Sequence, residues 1–258
     1  MMSTDDAIVA AVERRVKAFY AEHPEIKPSH GWEDHVSVVH MHTQRALHSL
    51  LYSIPTSVRR NIELAALLHD VDDSKYFPEG SSENARSILV ETFGTYGNDD
   101  LIDEIIEIIS WVGCSKNGNS VPFKVKVSHA YHLLIPRWAD RLEAVGRRGV
   151  VRCYQFNNET SRPLFTENTP RAKSEEDLWR IADPPGRLQK YMERGGTSES
   201  MIDHYYDKLL HIARPPREIV RNPYLEQMAD SSAQPLVEVC LRFGRTGKVD
   251  ESYIMSLL

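Results

Sequence analysis

Apolar residues recur every three or four positions along almost the whole chain, and that spacing constrains the fold more than any other feature. Ile8, Val12, Val16 and Phe19 share one face over residues 5–22, with Thr4 placed to cap them and Pro24 and Pro28 behind as breakers. Val36, Val39, Thr43, Ala46, Leu47 and Leu50 define a second helix that Pro55 ends. Leu64, Leu67, Leu68 and Val71 define a third, after the polar stretch TSVRRNIE. SSENARSILVETFG reads as a fourth, capped by Ser81 or Ser82 and closed by Gly94. NDDLIDEIIEIISWVG reads as a fifth, its acids in the first turn where the helix dipole favours them. SVPFKVKVSHAYHLLI is ambiguous, because its first half also reads as a short strand. Pro136 suits the start of a helix over RWADRLEAVGRRGVVRCYQF. Residues 157–187, rich in Asn, Thr, Pro, Glu and Arg, read as a long surface insertion. SESMIDHYYDKLLHIA is a late helix and PLVEVCLRFG the last. The pattern predicts an all-α chain.

At 258 residues the chain is long enough to bury a sizeable core, and residues 1–258 are expected to form a single domain. Its net charge of −6, with acids and bases interspersed, argues against an extended nucleic-acid surface. Three scattered cysteines without a CxxC pair support neither a zinc knuckle nor a disulfide framework, and fit a reducing compartment. The first 20 residues put acids before the apolar run, the reverse of a signal peptide. No apolar run approaches the roughly 20 residues that span a bilayer. The expectation is a cytoplasmic or nuclear protein without membrane contact.

Against this helical background, some polar groups stand where core is expected. His69 follows Leu67 and Leu68, and Asp70 follows it. His35 lies four residues before Val39. Asp140 is framed by Trp138, Ala139, Leu142 and Val145. A His-Asp pair alone says little: 11 histidines and 16 aspartates in 258 residues give about 0.7 such pairs by chance. Buried polar groups must be satisfied by hydrogen bonds or bind something. Two imidazoles and two carboxylates suit a divalent ion such as Mn, Fe, Co, Ni or Zn, and leave positions open on an octahedral ion.

These residues resemble the signature of the HD-domain metal-dependent phosphohydrolase superfamily: His, then His-Asp, then a distant Asp, all on helices. Here they are His35, His69, Asp70 and Asp140. AALLHDVDDSK resembles the His-Asp-x-x-Asp-x-Lys form of a bacterial-type branch that includes nucleoside triphosphate pyrophosphohydrolases. WADRLEAVGRRGVVRCYQF and TSESMIDHYYDKLLHI resemble two later motifs of that branch. The resemblance covers about residues 31–212, leaves 157–187 as an insertion, and leaves 213–258 as a C-terminal helical extension. The chain departs from it at Val38–Val39, where the branch has Arg-Val, and at Trp138, where it has an acid.

The resemblance implies a helical bundle around a buried divalent ion (Mn favoured; Co, Ni, Fe, Mg and Zn admitted), held by His35, His69, Asp70 and Asp140. It implies hydrolysis of a nucleotide, foremost a triphosphate to monophosphate and pyrophosphate. A phosphodiesterase, a 5′-nucleotidase or a non-catalytic nucleotide-sensing module are the alternatives. Phosphoryl transfer needs cations and a proton-transfer group beside the metal. Lys75 is expected to neutralise phosphate, against a solvated loop lysine. Asp73 is expected to move a proton, against a simple turn aspartate, and Asp72 stands as its rival. Arg141 is about 100° around the helix from Asp140, so a salt bridge competes with a phosphate role there. His204 and Lys208, four apart, share a helix face and are candidates for a distal phosphate. His40, His42, His129 and His132 raise the question of a second ion, with a structural role preferred. The expected partner is a small phosphorylated molecule, with room for a homodimer.

Overall fold

The computed structural model describes residues 4–78, 82–94, 98–182 and 185–258. Among them there is no β-strand, and none of the helices is long and apolar enough to cross a membrane. The chain divides into two compact units. The first comprises Met1–Gly113, Val121–Asp140 and Arg221–Tyr224. The second comprises Cys114–Ser120, Arg141–Val220 and Leu225–Leu258.

The first unit is built on helices α1 (Thr4–Glu22), α2 (Ser37–His48), α3 (Thr56–Leu68), α4 (Glu83–Phe93) and α5 (Asp99–Ser110). A short helix α6 (Phe123–Ser128) follows, and α7 (Ile135–Glu143) enters the unit with its residues up to Asp140. Helix α3 is the centre: it packs on α1, α2 and α5. Its Ile62, Leu64, Ala65, Ala66, Leu67 and Leu68 are all solvent-inaccessible, so it is apolar nearly all round, as a central helix must be. The polar stretch TSVRRNIE is therefore its first two turns and not a lead-in. Thr56 opens it directly after Pro55. Val12, Val16 and Phe19, the predicted face of α1, are its buried residues.

Local signals and observed ends differ instructively at α4. Ser82 sits at its N-cap with a left-handed backbone and makes no capping bond through its side chain. Asp72, 12 and 13 residues before the two N–H groups it accepts, does that work. Its Oδ1 accepts the Asn84 N–H at 2.9 Å and its Oδ2 the Ala85 N–H at 2.9 Å. Two of the orphan donors of the first turn are thus satisfied by a carboxylate, which also suits the positive end of the helix dipole. Ser81 lies outside the described residues. The ambiguous stretch after residue 120 is helical over Phe123–Ser128, started by Pro122 and ended by His129 with φ 54°.

The second unit contains α8 (Gly146–Glu159), α9 (Glu175–Ala182), α10 (Pro185–Glu193), α11 (201–212), α12 (Pro223–Asp230, from Leu225), α13 (Ala233–Thr246) and α14 (Glu251–Met255). Its core gathers Val150, Val151, Leu178, Met201, Tyr205, Tyr206, Leu210, Leu236, Cys240 and Phe243. Within 157–187, expected as a surface insertion, the structure forms helix α9, and Ala172, Leu178 and Ala182 are buried in that core. The join is close. A Cβ on Gly244 would fall 1.8 Å from the Ala172 carbonyl oxygen, so only glycine lets α13 approach this segment. The three cysteines are free. Burial pushes the Cys153 thiol up to about 12.

Candidate metal centre

The local backbone that carries His35 is unusual. After the 3₁₀ turn Pro28–His30, residues Trp32–Val36 form a single π-helical turn that runs into α2. The Val36 N–H reaches back five residues to Gly31 O at 3.3 Å. Such turns widen the helix by one residue and re-aim a side chain, and they recur at functional sites. His69 is the C-terminal cap residue of α3, and Asp70 opens the following turn. Asp140 comes from α7.

These three elements bring four groups together. His35 Nε2 is 3.1 Å from His69 Nε2, 3.1 Å from Asp70 Oδ2 and 3.4 Å from Asp140 Oδ1. His69 Nε2 is 3.7 Å from a carboxylate oxygen of each aspartate. The ligand atoms of His35, His69 and Asp140 all lie within 4.8 Å of one another, the one such donor group among the described residues. The imidazoles are buried, with side-chain exposures of 3% and 1%, while both carboxylates are 23% exposed. The cluster is therefore closed behind the histidines and open on the aspartate side.

The donors fit a cation. The His69 Nδ1–H donates to Ala66 O at 2.8 Å, which fixes the tautomer and leaves a lone pair on Nε2. That lone pair faces another imidazole nitrogen and two carboxylates, an arrangement of acceptors that a divalent ion of borderline softness satisfies. Burial by itself would raise the Asp70 carboxyl. When the rings are protonated, the His69 charge, the His35 hydrogen bond and the charges of His35 and Lys75 outweigh it and hold that carboxyl well below its usual range; at neutral rings a divalent ion would supply the same attraction.

Asp73 and Lys75 lie in the turn after Asp70. The Asp73 carboxylate accepts the Lys75 N–H through Oδ1 and the Lys75 ammonium through Oδ2, both at 3.0 Å. Asp73 thus shapes its own turn and holds Lys75. Its side chain is 14% exposed, that of Lys75 50%. The remaining candidate histidines have other surroundings. His40 Nε2–H donates to Glu63 at 3.2 Å, His42 Nδ1 is 2.7 Å from the Tyr224 hydroxyl, and His132 Nδ1 is 3.3 Å from that of Tyr52.

Arg141, His204 and Lys208 belong to the second unit. The Arg141 guanidinium is buried and donates to Asn119 Oδ1 at 2.7 Å and to Gly118 O. The Glu143 considered as its salt-bridge partner is engaged by Arg148 at 3.1 Å. His204 and Lys208 both lie against the Tyr191 ring, at 5.4 Å between rings and 5.9 Å from ammonium to ring. A second π-helical turn, Tyr205–Leu209, carries Lys208. Asp207 holds Arg187 at 2.7 Å and Ser198 at 2.8 Å.

Two neighbours of the cluster carry no periodic signal in the sequence. His30 meets the His35 ring at 6.4 Å between centroids, because a 3₁₀ turn and a π turn intervene where a regular helix would carry it elsewhere. Tyr20, on α1, keeps a buried hydroxyl without a hydrogen-bond partner. Burial raises that phenol well above its ordinary value, and the charges of Asp70 and Asp73 add to the effect.

No protein-family model matches the chain. An uncharacterized protein of Acanthamoeba polyphaga mimivirus is 37% identical over 220 residues, covering 81% of this chain and 86% of that protein. Solved structures share the fold at 17% identity. A Lactobacillus plantarum protein superposes with TM-score 0.62 over 95% of this chain and 98% of its own. An HD-superfamily hydrolase from Bacillus thuringiensis does so with TM-score 0.56 over 93% and 96%. The chain therefore belongs to one family with the mimivirus protein, and it shares the fold of an HD-superfamily hydrolase.

Proposed function

We propose that the protein is a divalent-metal-dependent phosphohydrolase that acts on a nucleotide and splits a triphosphate into monophosphate and pyrophosphate. The observation that carries this reading is the convergence of His35, His69, Asp70 and Asp140, with the two Nε2 atoms 3.1 Å apart. The four are assigned as metal ligands, and Mn is the favoured ion. Bound there, the ion would supply Lewis-acid polarisation of a phosphate oxygen and activation of water.

The chain's own residues set the rest. The buried imidazoles close one side, so substrate enters from the side of the exposed carboxylates. Lys75, half exposed, offers its charge to a phosphate oxygen in exchange for Asp73. Once Lys75 turns to substrate, the Asp73 carboxylate regains an accepting oxygen that takes a proton from the attacking water and, once protonated, returns it to the leaving oxygen. The Bacillus thuringiensis protein of the same fold, an HD-superfamily hydrolase, supports the hydrolytic class.

The test is a panel of nucleotides offered to protein loaded with Mn or Co, with chromatographic identification of products. Pyrophosphate is expected from at least one triphosphate. Orthophosphate alone would indicate a nucleotidase, and an opened cyclic nucleotide a diesterase. No release with metal demonstrably bound would overturn the hydrolase reading.

A further inference from the structure

His30 is the histidine to which neither periodicity nor the ligand set gives a task. Its Nε2 is 3.3 Å from the Lys75 ammonium and its Nδ1 3.2 Å from the Ser29 hydroxyl. An ammonium has donors only, so Lys75 donates and His30 Nε2 accepts. The ring proton then sits on Nδ1, facing Ser29, which is buried. The turn that holds His30 is itself tied to the loop after α3, since the Lys27 N–H donates to the Tyr76 hydroxyl at 3.2 Å. The His30 and Tyr76 rings also meet, at 6.2 Å.

We propose that His30 is a positioning residue for Lys75. With Asp73 it clasps the ammonium at the edge of the His35–His69–Asp140 cluster, ready to receive a phosphate group. The inference rests on the phosphohydrolase reading and adds a residue to it. Asp73 belongs to the same turn as Lys75, so by itself it folds the ammonium back onto its own loop. His30 comes from a different element, beside the His35 ring, and its lone pair draws the ammonium toward the cluster. A lysine stem has many rotamers, and fixing its head before substrate arrives removes part of the ordering cost of binding. A neutral acceptor suits the task, because it holds the ammonium without cancelling its charge.

The test compares His30→Ala, which removes the acceptor, with His30→Gln, whose amide oxygen can replace it. The probe is inorganic tripolyphosphate, titrated calorimetrically into full-length protein loaded with manganese. His30→Ala is expected to weaken binding by about tenfold and to raise KM with kcat little changed. Bound manganese should stay at the wild-type level, and His30→Gln should recover most of the affinity. Unchanged affinity in His30→Ala, equal loss in both variants, or loss of manganese would each overturn the proposal. Tripolyphosphate binding that depends on His30, without turnover of any nucleotide, would overturn the hydrolase reading and support the clasp.

Discussion

His35 Nε2 and His69 Nε2 face each other at 3.1 Å, although 34 residues separate them in the chain. The neutral His69 ring donates its one N–H, on Nδ1, to Ala66 O, so its inward nitrogen is an acceptor. Two imidazole nitrogens at this separation suit a cation that both ligate. Manganese at 100 times its Kd should therefore add about 2.7 kcal/mol of stability, a rise of several degrees in Tm for a chain of this size. His69→Ala and Asp140→Ala should abolish the rise, and mass spectrometry should find no retained metal. A wild-type shift in either variant would remove that residue from the ligand set.

Asp72 and Asp73 are adjacent, and the structure gives them different tasks. Asp72 caps α4 through two backbone N–H groups. Asp72→Ala should cost about 1 kcal/mol in urea unfolding, in the range of other N-cap losses, with kcat kept within a few-fold. Asp73→Ala should show the reverse pattern, little change in stability and a large loss of turnover.

Glu63 links α3 to α2, accepting from His40 at 3.2 Å and Gln44 at 3.1 Å. Burial alone would raise its carboxyl. These two hydrogen bonds and the charges of His40 and Arg59 outweigh burial and hold it below 4.5. A depressed folded-state pKa contributes stability that is present above the unfolded value and lost as pH falls through the folded one. Stability should therefore drop on acidification below about 4.3. Glu63→Gln should be less stable near neutrality and show a shallower drop. Parallel wild-type and Glu63→Gln curves across that window would refute the assignment.

Gly244 lets the Ala172 carbonyl approach α13, where a Cβ would fall 1.8 Å away. The contact is backbone to backbone, so no side chain can rotate to relieve it. Gly244→Ala should destabilise by at least the 1–3 kcal/mol typical of overpacking, despite alanine's better helix propensity. Gly186→Ala, with nothing within 4 Å of the added Cβ, is the control and should be near neutral.

Much of this protein was legible in linear order. Helical spacing placed α1, α2, α5 and the late helices, because one buried face per helix writes a period near 3.6 into the chain. His35, His69, Asp70 and Asp140 could be picked out because polar groups among apolar neighbours need a reason. What only the tertiary structure decided depends on contacts between distant segments or on irregular backbone. Asp72 looked like a rival of Asp73, and no spacing rule predicts a cap supplied from another loop. His30 sits beside His35 because a π turn breaks the regular period that sequence reasoning assumes. Residues 157–187 looked polar enough for a loop, yet Ala172, Leu178 and Ala182 are buried in the second unit. A few small apolar residues between charges carry no period, and Ala172 among them fits only because Gly244 on α13 makes room for it.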